Sequence, residues 1–420
     1  MTQETAALAL YEKGDLDGAA RAFTELLKSE TGNITALEYL AFYTSQRGEF
    51  SAARDWYERL VTAQPANAGH HYNLAMAAFA LEEWPAALQS LGAALGCDPH
   101  LIQAQLYRGV VLDKLGNREA AARAYLAAVR YADRQLDPRT LPNELKAFLN
   151  HANTYALQFL DDEIEIALRP LRERHGADSV QRLRAAADIF LGRRPANFAH
   201  PKWRPGLFYV PDLPPKPWHD RSDFPWAAQV EAATAIIRDE LLEALQAGEG
   251  FAPYVNHPEG SHEARVWQAV NRSMDWSSLH LYRHGVRVEE NCARCPRTVE
   301  ILEKADLHRV PGHGPEVMFS VLKPKAKIPP HYGSVNGRLI VHLPLIVPPN
   351  CGALKVAGEA RSWVEGELLF FDDSFEHEAW NDSDQTRVVL IFDTWNPHLT
   401  MVEREAFSAV LSAAQRFERG

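Results

Sequence analysis

Along the first 135 residues apolar positions recur at helical spacing, and the spacing pattern itself repeats. Gly14, Gly48, Glu82 and Gly116 stand in register at a constant period of 34 residues. Five positions after each comes Ala19, Ala53, Ala87 and Ala121, and nine positions after comes Phe23, Tyr57, Leu91 and Tyr125. Leu74, Ala77, Ala78 and Leu81 lie on one helical face. Each period therefore predicts a helix, a tight turn that favours Gly, and a second helix with a small residue at the close contact. One such pair cannot bury its apolar face alone, so neighbouring periods must stack.

From about Leu141 to Gly250 helical spacing persists but the register is lost. LPNELKAFLNHANTYALQFLDDEIEIAL, SVQRLRAAADIFL and AAQVEAATAIIRDELLEALQAGEG read as helices, the last ended by Gly. Between them PKWRPGLFYVPDLPPKPWHDRSDFPW carries prolines spaced too closely for a helix and reads as extended chain. After about Trp276 the period turns to two. SLHLYRHG, EVMFSVLKP, GRLIVHLPLIVP, GALKVAG, GELLFFDD and TRVVLIFDTW are the expected strands, each bounded by turn residues. Strands without intervening helices predict an antiparallel sandwich or barrel. The expected domains are a repeat array over 1–135, a helical linker region over 136–200 and a β domain over 201–420. The 34-residue period is the tetratricopeptide pattern, so the N-terminal part is expected to be an α-solenoid. Its concave face is read either as a site for a protein partner or as a spacer or dimerisation surface.

Composition changes this picture little. With 46% hydrophobic residues and 10% aromatics the chain is globular. A formal charge of −11 argues against general nucleic-acid binding. The N-terminus lacks a basic stretch followed by a long apolar core, and no apolar run approaches the roughly 20 residues of a membrane span. A cytoplasmic protein is expected. Four cysteines are too few for a disulfide-stapled scaffold, and the lone C-x-x-C pair of Cys292 and Cys295 is read as a structural or redox-labile element. No phosphate loop or dinucleotide fingerprint is present.

The chemistry concentrates between His331 and Trp395. His331 follows Pro329 and Pro330, and His377 follows the acidic turn FDDSFE. Two imidazoles from separate strand ends suit Fe(II) or Zn, yet ordinary hydrogen-bonded histidines give the same pattern. The place where many iron sites carry an acid, two residues after the first histidine, is Gly333. Arg338, Ile340 and His342 share a strand face by alternation. Arg387 opens a buried-looking run, where it either clamps a ligand carboxylate or pairs with Asp372, Asp373 or Asp382. Trp203, Tyr209 and Trp218 are read either as lining a substrate approach or as packing.

The segment from about Ser320 to Pro397 resembles the aspartyl/asparaginyl β-hydroxylases, Fe(II)- and 2-oxoglutarate-dependent dioxygenases. The marks are FSVLKP, PPHYGSVNGRLIVHLPLIVP, the W-x-E-G-E turn with FDDSFEHEAWND, and VVLIFDTWNPHL; GLFYVPDLPPKPW is similar to the family's lead-in. The resemblance implies a double-stranded β-helix (jelly-roll) oxygenase domain. It implies that His331 and His377 are metal ligands, and that Arg387, Ser320 and His342 contact 2-oxoglutarate. It makes Asp373 a nearby acid acting on the metal site. Gly333 fits the branch of the family that lacks an acid there. Ile340 departs from that branch, which has a second cosubstrate arginine, and Arg338 is the residue placed to compensate. The implied reaction uses dioxygen and 2-oxoglutarate to hydroxylate an unactivated carbon of a peptide, protein or amino-acid-like small molecule, releasing succinate and CO2. Two other readings stay open: a three-histidine, cupin-like metal site of His331, His342 and His377 without 2-oxoglutarate, and a non-catalytic protein that binds partners through its repeats.

Overall fold

The computed structural model describes residues 2–419. It divides into two compact units, Met1–Asp162 with Phe417–Gly420, and Glu163–Arg416.

The first unit is a run of antiparallel helix pairs: Gln3–Glu12 with Leu16–Ser29, Ile34–Gln46 with Phe50–Ala63, Ala68–Ala80 with Trp84–Cys97, and Ile102–Lys114 with Arg118–Gln135. The register positions Gly14, Gly48, Glu82 and Gly116 all turn the chain between the helices of a pair with positive φ, from 57° to 81°. A Cβ at Gly14, Gly48 or Gly116 would meet no atom within 4 Å, so backbone conformation and not crowding selects glycine there. Ala19, Ala53, Ala87 and Ala121 are fully buried, as a residue at the crossing of two helices must be. Gly109 shows the same pressure: a Cβ there would run into the ring of Tyr125.

In the second unit the extended aromatic-proline segment leads into helices Ala227–Ala232 and Thr234–Ala247, the latter stopped by Gly248 in the left-handed conformation. The strands that follow the chain are β1 (Trp218–His219), β2 (Ala252–Pro253), β3 (Trp276–Arg283), β4 (Val286–Arg287), β5 (Val317–Leu322), β6 (Lys327–His331), β7 (Arg338–Ile346), β8 (Leu354–Val356), β9 (Glu359–Arg361), β10 (Leu369–Phe371), β11 (His377–Trp380) and β12 (Arg387–Trp395). They form two antiparallel sheets. The larger runs β1-β10-β7-β12-β5-β3-β2, with β4 on β3, and the smaller runs β6-β11-β8-β9.

Alternation divides the larger sheet sharply. Leu279 and Leu281, Phe319 and Val321, Leu339, Val341 and Leu343, and Leu390 and Phe392 face one core together with Ile237 and Leu241 of the Thr234–Ala247 helix. The opposite face carries Trp276, Ser320, Arg338, Ile340, His342, Arg387 and Asp393, as cross-strand register requires.

All six expected strands are present. The expectation of strands without intervening helices is corrected: helices Glu289–Arg294 and Pro296–Glu303 stand between β4 and β5. Pro296 starts the second helix, where its missing N–H costs nothing, and Val299 and Leu302 pack it onto the sheet core. Cys292, in the first of these helices, and Cys295, at the junction between them, are buried free thiols, and Cys292 Sγ donates to the Leu281 carbonyl at 3.1 Å. Burial pushes the Cys295 thiol up to about 12, so both behave as small apolar residues. No helix among the described residues is long and apolar enough to cross a membrane.

Candidate active site

His331 ends β6 and His377 opens β11, and the two are direct cross-strand partners in the smaller sheet. Their ring centroids are 3.9 Å apart. Each Nδ1 lies against the carbonyl oxygen two residues earlier, His331 on Pro329 at 2.8 Å and His377 on Phe375 at 2.9 Å. A carbonyl only accepts, so each Nδ1 carries the proton and each Nε2 keeps its lone pair. Burial drives both rings toward the neutral form, His331 down to about 3 with the neighbouring His377 adding to the effect, and His377 down to about 4. Two neutral imidazoles with fixed tautomers are the state a metal ion requires.

Beside them the main chain of Gly333 donates to the Asp373 carbonyl at 2.6 Å. A Cβ on Gly333 would overlap Asp373 Cγ and both of its carboxylate oxygens. The acid from the β10–β11 turn thus fills the space that a side chain at 333 would take. Asp373 Oδ2 accepts from Arg338 Nη2 at 3.1 Å, while its buried Oδ1 has no hydrogen-bond partner. Asp372 points the other way, accepting from Trp203 Nε1 at 3.0 Å and from the backbone and hydroxyl of Ser374. Trp203 stacks on Phe375 at 5.4 Å, and Trp203, Tyr209 and Trp218 are all buried. These aromatics pack behind the turn that presents Asp373 and His377.

Arg387 is 1% exposed and forms no ion pair with any of the aspartates proposed for it. Its Nε and Nη1 have no partner, and burial pulls it down to about 10. Its guanidinium sits 4.6 Å over the Trp363 ring. Trp363 Nε1 in turn donates to His342 Nδ1 at 3.2 Å, which leaves the His342 proton on Nε2. Burial and the charge of Arg387 hold His342 neutral, well below its usual range. The His342 ring contacts Phe371 at 5.2 Å, and Phe371 contacts His377 at 5.6 Å. Ser320, fully buried, accepts from Trp276 Nε1 at 3.1 Å and keeps its own hydroxyl proton to donate. Arg387, His342 and Ser320 therefore offer a charge and two neutral donors on one sheet face, the chemistry that holds a carboxylate.

Arg338 is placed differently from a free cation: Nη1 is on Asp393 Oδ2 at 3.2 Å and Nη2 on Asp373. Ile340 stands opposite Phe371 on one side and Asp393 on the other. Among the described residues no three His, Cys, Asp or Glu side chains are gathered so as to hold a metal, the set of His331, His342 and His377 included. Trp363 and Asp393 were not singled out from the sequence. The signal for Asp393 is a lone acid within VVLIFDTW; Trp363 lies in the W-x-E-G-E turn, where nothing marks it as a contact of Arg387.

Residues 231–397 match the family model described as aspartyl/asparaginyl beta-hydroxylase, and residues 5–68 and 43–102 match a tetratricopeptide repeat model. The human aspartyl/asparaginyl beta-hydroxylase is 31% identical over 242 residues, covering 56% of this chain and 30% of that protein. An ornithine lipid ester-linked acyl 2-hydroxylase of Rhizobium tropici is 37% identical over 183 residues, covering 43% of this chain and 61% of that one. Aspartate beta-hydroxylase domain-containing protein 2 of Xenopus tropicalis is 33% identical over 222 residues, with 50% and 55% covered. The chain spans less than two thirds of the length of each of these relatives. It thus combines a domain of the aspartyl/asparaginyl beta-hydroxylase family with an array of tetratricopeptide repeats.

Proposed function

We propose that the sheet domain is a double-stranded β-helix oxygenase that uses Fe(II), 2-oxoglutarate and dioxygen to hydroxylate its substrate. The observation that carries this reading is Arg387, a fully buried guanidinium with two unpartnered nitrogens, joined through Trp363, His342 and Phe371 to a pair of neutral histidines. A buried cation without a counter-ion is costly, so this one calls for an anion from outside the chain.

His331 and His377 would hold Fe(II) through Nε2, and Arg387, His342 and Ser320 would hold the 2-oxoglutarate carboxylate. When bound, these groups supply the oxidising power that inserts one oxygen atom of O2 into a C–H bond, with succinate and CO2 as coproducts. The chain's own residues orient and insulate. Backbone carbonyls of Pro329 and Phe375 fix the two imidazole tautomers. Trp363 fixes the His342 tautomer so that Nε2–H faces out as a donor. Asp373 brings a carboxylate close to a site that has two protein ligands only, and tempers its charge. Trp267, 4.9 Å from His331 and backed by Trp276 at 5.9 Å, covers one side of the pair.

The substrate proposed is a peptide, protein or amino-acid-like molecule, as the names of the human and Xenopus tropicalis relatives suggest, with the repeat array available to a protein partner. The apolar Ile340 and the Trp267 ring favour, as a second reading, an acyl group like the one in the name of the Rhizobium tropici relative. Anaerobic titration with Fe(II) and then 2-oxoglutarate tests the proposal. Replacing His377 by Ala is expected to weaken Fe(II) binding by more than the roughly 10–100-fold that loss of an outer partner costs. Arg387→Ala is expected to keep Fe(II) but weaken 2-oxoglutarate by roughly 10–100-fold, the worth of a charged hydrogen bond. Wild-type Fe(II) affinity in the first variant, or succinate formation indifferent to the second, would overturn it.

A further inference from the structure

Arg338 lies on the functional face of β7, yet both of its terminal nitrogens are already committed. Nη1 donates to Asp393 Oδ2 at 3.2 Å and Nη2 to Asp373 Oδ2 at 3.1 Å. Asp393 is fully buried in β12, and its second oxygen accepts from the Glu316 backbone at 3.1 Å. It is therefore fixed by the most extensively paired strand of the sheet, between β5 and β7. Asp373 has no such frame. It stands in the turn between β10 and β11, four residues before His377, and Arg338 is the partner that holds its carboxylate. The held carboxylate lies over Gly333, two residues after His331.

We propose that Arg338, clamped by Asp393, is a positioning residue that fixes the Asp373 carboxylate beside the histidine pair, and is not a ligand of the cosubstrate. The inference rests on the metal site proposed above. Turning Arg338 toward another anion would leave two buried carboxylates uncompensated, a larger loss than one new pair repays. The guanidinium fork is also the only side-chain shape that reaches both acids at once, because its nitrogens point apart in a fixed plane. Ile340 then needs no substitute: the strand face keeps Arg338 for the acid and Arg387, with His342 and Ser320, for the cosubstrate. Asp373 itself is outside any three-residue metal cluster among the described residues, so it acts through charge and hydrogen bonding.

Co(II) titrated into the metal-free full-length chain, followed by its visible absorption, provides the test, with 2-oxoglutarate then titrated into the Co(II)-loaded protein. Arg338→Met and Asp373→Asn are each expected to weaken Co(II) by roughly 10–100-fold. The double variant is expected to be no weaker than the worse single one, since both remove the same effect. Arg338→Lys, a single point charge, is expected not to restore wild-type affinity. The 2-oxoglutarate affinity of Arg338→Met should stay within about 3-fold of wild type, the spread of uncoupled sites. Additive losses of Co(II) affinity, or a fall in 2-oxoglutarate affinity with Co(II) affinity unchanged, would overturn the proposal. Asp393→Asn, nearly the same in shape, gives the same loss by removing the clamp and serves if Arg338→Met fails to fold; unchanged Co(II) affinity in it counts against the clamp. His331→Ala separates the two levels. If it binds Co(II) like wild type, the metal site itself falls; if it loses Co(II) while the Arg338 and Asp373 losses add, only the positioning role falls.

Discussion

Two arginines on one sheet face have opposite surroundings. Arg338 is paired with two aspartates, and Arg387 is buried against an aromatic ring and the Cys351 thiol, with no carboxylate ion pair among the described residues. A single strand pair thus carries one guanidinium held by two carboxylates and one stacked on a ring with two unpartnered nitrogens. Trp363 links the second of these to His342, and that link is open to a clean substitution. Trp363→Phe keeps a ring beneath Arg387 and removes only the N–H that orients His342. We expect the 2-oxoglutarate dissociation constant to rise about 3–10-fold, the worth of one net hydrogen bond, with Co(II) affinity unchanged, as read by titration calorimetry. At this scale His331, His377 and Arg387 were visible in the sequence because each is a polar residue at a boundary between a turn and a strand. Their partners were not. Whether Arg387 faced an aspartate or an aromatic ring depended on a turn some 24 positions earlier in the chain, which no local pattern reveals.

At the scale of elements, the strands that carry the histidine pair are those hardest to read. β6 is KIPPH, and two prolines in a row argue against a paired strand. It tolerates them because it is an edge strand of the smaller sheet, paired only with β11. β11 is four residues long and holds no apolar alternation beyond Ala379 and Trp380. Longer strands such as β7 and β12 were legible because one of their faces is entirely core. The repeats were legible for a different reason, since their period states the same conformational demand four times. Glu82 meets that demand without being glycine, at φ 57°. Glu82→Gly is therefore expected to raise the stability of the repeat unit by up to about 1 kcal/mol, and Gly48→Ala to lower it by about 1 kcal/mol. Chemical denaturation of the full chain checks both, and an opposite sign in either would show that contacts of the turn outweigh its backbone.

For the whole molecule, the density of buried titratable groups sets how stability follows pH. Burial lowers His219, His280 and His377 to about 4 and His331 to about 3, and holds His308 and His342 well below 6.5. Burial raises Asp372 to about 8 and Asp393 to about 7, and raises Glu316 as well. Between about pH 4 and 6.5 the unfolded chain binds protons at six histidines that the folded chain refuses, while the folded chain keeps protons on Asp372 and Asp393 that the unfolded chain has lost. Six outweigh two, so stability of the metal-free protein rises with pH across that window. Above about 6.5 the histidines no longer contribute, and the buried acids make stability fall as pH climbs through 7 to 8. Thermal midpoints measured from pH 4.5 to 8.5 should pass through a maximum near pH 6.5; a steady rise to pH 8 would contradict this balance. The division into a repeat half and a sheet half was plain from the change of period, whereas the two short helices after β4 were hidden by the charged, cysteine-bearing stretch that forms them.

Position 333 and position 373 share one volume. Because the side chain that is missing from one strand end is replaced by a carboxylate arriving from another, neither position is free to vary by itself. An acid at 333 has room only if the Asp373 carboxylate swings aside or the residue at 373 shrinks, and a smaller residue at 373 leaves a hole unless 333 grows. A single change in either direction therefore disturbs the packing beside the two histidines, and the two positions are expected to tolerate substitution better together than one at a time.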